Sequence, residues 1–138
     1  MIDPEHVYEF DPGDPPVQAY VYGDLPMIKQ SVRIFLQNAA KYSEAEGRIL
    51  LAVRTSGRKV SYVIQDEGIG MSEEDTKHIF ERFYRVDKSH SRSVGGTGLG
   101  LSIVKHAARL HGASIELQSS PGEGSIFTIS FPIADDPA

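Results

Sequence analysis

Four glycines crowd the run "VGGTGLGLSI", residues 94–103, which then turns apolar without a break. Glycine inside a helix is destabilising by roughly 0.5–1 kcal/mol relative to alanine and is favoured where the backbone needs unusual angles or close approach. Yet "GLSIVKHAARLHG" directly behind it has the spacing of an amphipathic helix, with Gly112 suited to its C-terminal cap. The fold must therefore place a side-chain-free backbone at the mouth of a helix. A P-loop would need a lysine and Ser/Thr after the last glycine, where Leu101 stands. A dinucleotide fingerprint would follow a strand, whereas a polar stretch precedes this one and the third glycine is misplaced. A flexible loop before an ordinary helix is the plain alternative. The chemical reading that survives is a helix N-terminus whose free amides and positive dipole end receive phosphate.

Around that helix the chain reads as an α+β layer, because strands and helices are segregated rather than alternating. "HVYEFD" and "VQAYVYG" have the pattern of two short strands separated by "PGDPP". Asp24 then caps a helix with Pro26 in its first turn, and Ile28, Val32, Phe35, Ala39 and Tyr42 carry it to about Ser43. "RILLAVRT" and "KVSYVIQD" form a hairpin turning at "SGR"; Ser72 and Asp75 have capping-box spacing for a short helix over "EEDTKHIFERF". After the aperiodic "RVDKSHSRSVGGT" the second long helix runs from about Gly98 to Leu110, and "SIELQSS" and "SIFTISFP" close the chain around "PGEG".

A second glycine cluster narrows the chemistry. "VIQDEGIGM" sets Asp66 at the end of an apolar strand, with Gly68 and Gly70 in a tight turn. An aspartate there often only caps the turn. Two separated glycine sites, one led by a carboxylate, instead suit a nucleotide whose base and phosphates lie apart. A carboxylate only accepts hydrogen bonds, so Asp66 suits the exocyclic amine of adenine and repels the carbonyl of guanine. On the first long helix Ile34, Asn38, Lys41 and Tyr42 share a face. The Asn38 amide is a suitable single protein ligand for Mg²⁺, which keeps most of its waters and takes phosphate oxygens. Lys41 can reach the same phosphates. Taken singly, a solvated lysine and a backbone-bonded asparagine explain these two as well.

Composition sets the outer limits. The chain of 138 residues, 40% hydrophobic and 24% charged, is sized for one domain over residues 1–138. A formal charge of −5 argues against general attraction to nucleic acid or anionic lipid. With no cysteine there is no disulfide framework and no thiolate zinc site. No membrane span and no signal peptide are expected, since "MIDPEHVYEF" is acidic and aromatic.

Four segments together resemble the catalytic ATP-binding domain of two-component sensor histidine kinases, in the superfamily shared with gyrase, Hsp90 and MutL. "FLQNAAKYS" is similar to the family's N box, "DEGIGM" to its G1 box, "IFERFYRVD" to its F box and "GGTGLGLSIVK" to its G2 box. They stand in the family's order and span residues 23–131. The F box separates this resemblance from the gyrase, Hsp90 and MutL branches.

The resemblance implies a Bergerat fold, a mixed sheet with helices on one face and a mobile ATP lid over about residues 86–97. It implies ATP and Mg²⁺ as cofactors, with Asn38 on the metal, Lys41 and Arg85 on phosphate, Tyr42 near the nucleotide and Asp66 on adenine. Gly68 and Gly70 would line the base pocket; Gly96, Thr97, Gly98, Leu99, Gly100 and Leu101 would meet the phosphates, with Arg92 as a further cation. Phe80 reads as a core residue and Phe83 as a lid anchor. One position departs: the family often has an asparagine four residues before the metal ligand, and here it is Ile34. None of His6, His78, His90, His106 and His111 stands in the family's phosphoacceptor context, and all five read as surface or lid residues. The expected partner is therefore a parent kinase's dimerisation and phosphoacceptor domain and, through it, a response regulator. No nucleic-acid or membrane contact by the chain itself is expected. The cytoplasm follows from the parent and from ATP. Two alternatives share the fold: an anti-sigma-factor serine kinase, and a nucleotide-gated binding module without catalysis.

Overall fold

A computed structural model describes residues 6–43, 47–82, 84 and 99–134. The elements are β1 (Val7–Asp11), α1 (Leu25–Tyr42), β2 (Arg48–Ser56), β3 (Lys59–Asp66), α2 (Glu73–His78), α3 (Gly100–Leu110), β4 (Ser114–Ser119) and β5 (Ser125–Pro132). They build one five-stranded sheet in the order β1-β2-β3-β5-β4. β1 runs parallel to β2 and every other pair is antiparallel. A parallel pair needs a long crossover, and α1 supplies it. The mixed sheet and α+β class expected from the sequence are observed.

Local chemistry explains α1. The Asp24 carboxylate accepts from the Met27 amide at 3.1 Å, Pro26 occupies the first turn, and the Ser43 amide closes the helix on Ala39 O at 3.0 Å. Ser31, Phe35 and Ala39 then form its buried stripe. α3 answers with Leu101, Val104, Ala107 and Ala108. Both stripes face the sheet surface built from Ile49, Tyr62, Ile64, Phe127, Ile129 and Phe131. Phe35 sits at the centre, its ring 4.8 Å from that of Phe127 and 6.2 Å from that of Tyr62. A fully buried phenylalanine contributes roughly 1.5–3 kcal/mol, so this cluster anchors α1 on the sheet.

Two expectations need correction. "VQAYVYG" is no strand; among the described residues its only ladder contact is a bridge between Tyr20 and Ala134. β2 already occupies the inner side of β1, and the segment must instead reach Gly23, which lies against the His111 ring. The short helix also ends at His78 rather than near residue 83. Ile79 is buried and Phe80 packs edge-on against Phe127 at 6.2 Å. A continuing helix would hold these neighbours about 100° apart around its axis, so the chain breaks into turns to seat both.

His111 is half-buried and tied into the structure by its ring. Its Nδ1 donates to Ala107 O at 2.7 Å and its Nε2 accepts from the Asp24 amide at 2.9 Å. This ties the C-terminal end of α3 to the N-terminal end of α1, and the two helices run antiparallel from there.

Candidate functional site

Three elements converge beyond the other end of that helix pair. The last turn of α1 docks on the loop that follows β3, because Tyr42 O accepts from the Ile69 amide at 3.1 Å. The approach is close enough that a Cβ at Gly68 would fall 2.3 Å from Tyr42 O. Gly70 has φ +70°, and a Cβ there would fall 1.9 Å from Ser120 O. These two positions admit glycine alone, as their spacing in the sequence suggests.

Asp66 stands at the head of this loop with 7% of its surface exposed. Its Oδ1 accepts from the Gly68 amide at 2.9 Å, and the Ser125 amide also bonds the carboxylate. Burial raises its pKa above the ordinary value, and the two amide bonds oppose that rise. Among the described residues no cation pairs with it. A buried carboxylate with spare acceptor capacity and no cation is suited to a neutral donor such as an amine.

The brace behind this loop comes from the β4–β5 turn. The Met71 amide donates to Ser119 Oγ at 2.8 Å, Ser119 Oγ donates to Gly124 O at 2.9 Å, and the Gly122 amide donates to Ile69 O at 2.7 Å. Sequence reasoning read "PGEG" as a turn between two closing strands and gave neither it nor the flanking serines a part in the site. The signal available was its pairing of serines and glycines, the residue types that offer both a short donor and close backbone approach. Ser43, the C-cap of α1, buries its Oγ with no hydrogen-bond partner among the described residues.

Along α1, Ile34, Asn38 and Tyr42 follow at four-residue intervals, about 6 Å apart on one face. Tyr42 touches the Asp66 loop and Ile34 touches Gly100, so Asn38 lies between the base turn and the start of α3. Asn38 is half-buried, and no hydrogen bond joins its amide to another described residue. Lys41 places its ammonium 5.4 Å from the centre of the Tyr42 ring. At the start of α3, Leu99 supplies no side-chain cap, and its carbonyl accepts from the Ser102 hydroxyl at 2.7 Å and the Ile103 amide at 3.1 Å. Among the described residues no side-chain acceptor caps the first amides of α3. Leu101 is buried in the core, so only its backbone can face a ligand. Arg85, Arg92, Gly96, Thr97 and Gly98, with Phe83, His90 and the expected lid, lie outside the described residues.

Among the described residues no group of three His, Asp or Glu side chains could hold a metal. A cation at this site would take one amide from the protein and its remaining ligands from phosphate and water, the manner in which Mg²⁺ is commonly bound.

Known proteins share this fold. A family model described as histidine kinase-, DNA gyrase B-, and HSP90-like ATPase matches residues 23–135. The sensor-like histidine kinase SenX3 of Mycolicibacterium smegmatis is 43% identical over 124 residues, covering 90% of this chain and 32% of SenX3. The sensor histidine kinase YkoH of Bacillus subtilis is 45% identical over 111 residues, covering 80% of this chain and 24% of YkoH. The chain thus spans a third or less of the length of these relatives. The mycobacterial sensor histidine kinase MprB superposes with a TM-score of 0.74 at 28% identity, over 94% of this chain and 81% of that one. Full-length ShkA, solved in complex with AMPPNP, gives 0.75 at 27% identity, over 97% of this chain and 26% of that one.

Proposed function

The chain belongs to the histidine kinase-, DNA gyrase B-, and HSP90-like ATPase family, and from that premise we propose that it is the ATP-binding catalytic domain of a sensor histidine kinase. Asp66 would accept from the adenine amine, with Gly68 and Gly70 allowing the base against the backbone and Tyr42 beside it. The triphosphate would run along the α1 face, past Asn38 and Lys41, to the amides at Leu99, Gly100 and Leu101. Arg85 and the run Gly96, Thr97, Gly98 complete the proposed set. Mg²⁺, held by Asn38, would offset part of the phosphate charge. The protein's own part is to bind, orient and neutralise, which is most of what phosphoryl transfer asks of a catalyst.

In the reaction proposed, an acceptor nitrogen forms a bond to the γ-phosphorus as the bond to the β–γ bridging oxygen breaks, leaving ADP. The acceptor is a histidine on a separate dimerisation domain of a longer kinase, which would then serve a response regulator. Among the described residues no helix is long and apolar enough to cross a membrane. We place the domain in the cytoplasm, where ATP is supplied.

The observation that carries this reading is the buried Asp66 carboxylate at the head of the glycine turn, which no cation among the described residues pairs. Calorimetry should show ATP binding and much weaker GTP binding; equal affinities would overturn the assignment. With γ-labelled ATP, acid-labile label should appear on a supplied phosphoacceptor domain and not on this chain.

A further inference from the structure

α1 and α3 are fixed to each other in different ways at their two ends. At the far end His111 makes two hydrogen bonds, one of them to the first helix's cap residue. At the near end the contact is apolar: a Cβ built at Gly100 would lie 3.0 Å from Ile34 Cγ2. Ile34 is half-buried and packs against the core cluster. It stands one turn before Asn38 on the same face of α1. Eleven residues of α3 separate this contact from the His111 tie, a lever of about 16 Å. A small change in the seat of Gly100 therefore moves the first amides of α3 relative to Asn38.

We propose that Ile34 is a positioning residue for nucleotide binding: its Cγ2 methyl, seated against Gly100, sets the distance between the Asn38 amide and the α3 N-terminus. The proposal rests on the phosphate-binding reading of that terminus. Carbon–carbon contact is favourable only near 3.5–4.0 Å, so a lost methyl leaves a gap and an added one forces the helices apart. Nothing about Ile34 bears on the base turn, which is held by Tyr42 and the β4–β5 turn instead. Ile34 therefore governs the phosphate half of the ligand and leaves the adenosine half alone. A residue that merely filled the core would affect both halves together.

The test compares ATP·Mg and adenosine affinities with melting temperatures for the unaltered chain, Ile34→Ala, Ile34→Val, Gly100→Ala and the Ile34→Ala/Gly100→Ala double variant. Ile34→Ala should weaken ATP·Mg binding about five- to tenfold while adenosine stays within about twofold, and Ile34→Val should restore most of the loss. Gly100→Ala should weaken ATP·Mg, and the double variant should bind it better than Gly100→Ala alone, because the new methyl enters the vacated space. Proportional loss of ATP and adenosine, or additive losses in the double variant, would overturn the proposal. An unaltered chain that binds neither ligand would overturn the nucleotide reading itself, and this proposal with it.

Discussion

At the base end of the cleft, the loop after Asp66 is held from two sides: Tyr42 O takes the Ile69 amide, and Ser119 and Gly122 bond its remaining groups. At the phosphate end, α3 begins with no side-chain cap, and the Asn38 amide has no hydrogen bond to another described residue. The first arrangement is complete before any ligand arrives, and one acceptor, Asp66, is left over. The second leaves donors without a partner among the described residues, open to water or to a ligand. A preformed base pocket contributes selectivity at small ordering cost, whereas unsatisfied amides contribute affinity for whatever anion is delivered there. The division matches the chemistry of a nucleoside triphosphate, whose identity lies in the base and whose charge lies at the other end.

Breaking the base end should have the largest effect. Gly70→Ala places a methyl against Ser120 O in a backbone with φ +70°, where a side chain is strained whatever the space. A loss of roughly 3 kcal/mol in unfolding free energy is expected from clash and strain together, read by urea denaturation. An unchanged midpoint would show that the loop is not braced as described.

Asp66→Ala should keep the fold and lose the ligand. One charge-assisted hydrogen bond, roughly 1.5–3 kcal/mol, should disappear from ATP binding, while the melting temperature falls only modestly, because relief of the buried carboxylate offsets the loss of its bonds from the Gly68 and Ser125 amides. The pH dependence follows the same group. Burial raises the Asp66 pKa above 3.8, so as pH falls through that raised value the carboxyl protonates. Protonation of this group then favours the folded state, since the folded form binds the proton more tightly than the unfolded one. Adenosine affinity should fall over the same range, because a protonated acid presents a donor to an amine. Adenosine affinity that stays flat while Asp66 protonates, followed by carboxyl NMR, would remove Asp66 from the base contact.

How much of this contrast could be read in the sequence follows from how local its causes are. α1 was legible from end to end, because Asp24, Pro26 and the Phe35 stripe act within one helix. The glycines at 68 and 70 announced a tight turn, and Asp66 its polar lead. What the turn leans on was not legible: Ser119, Ser120 and Gly122 meet it through the β4–β5 pairing, with 48 positions between Met71 and Ser119 in sequence. The parallel β1–β2 pair was hidden likewise, since nothing in "HVYEFD" names its partner. "VQAYVYG" misled because alternation records a half-buried face, and Gly23 and His111 set the course of that segment instead. Lys41 was legible as a cation near the site, but its seat over the Tyr42 ring was not.

The phosphate end gives a smaller and more conditional effect. Asn38→Ala should weaken ATP binding about tenfold, ~1.4 kcal/mol, in Mg²⁺ and scarcely at all in EDTA. The amide's proposed work is on the cation, so its removal matters only when the cation is present. Equal losses in both buffers would make Asn38 structural and erase the contrast between the two ends. Calorimetry in paired buffers decides it.

The least effect is expected where charge rather than backbone holds the chain. α2 leaves the base end directly after Met71, capped by the Ser72 hydroxyl on the Asp75 amide at 3.1 Å. On it His78 bonds Glu81 through Nδ1 and Glu74 through Nε2, and its ring stacks on Tyr84 at 5.6 Å. The bond to Glu81 holds the His78 pKa above 6.5, with the charges of both carboxylates adding to it. A raised histidine contributes stability that is complete below 6.5 and is lost as pH rises through the folded value. The groups are solvent-exposed, so screening keeps the contribution small. Proton NMR should find His78 titrating above 6.5, and Glu81→Gln should bring it back toward that value. Through the same alkaline range adenosine affinity should not move, because the hydrogen bonds bracing the Asp66 loop involve amides, carbonyls and a serine hydroxyl that do not titrate there. Adenosine binding that fell in step with His78 deprotonation would mean that the base end depends on surface charge after all.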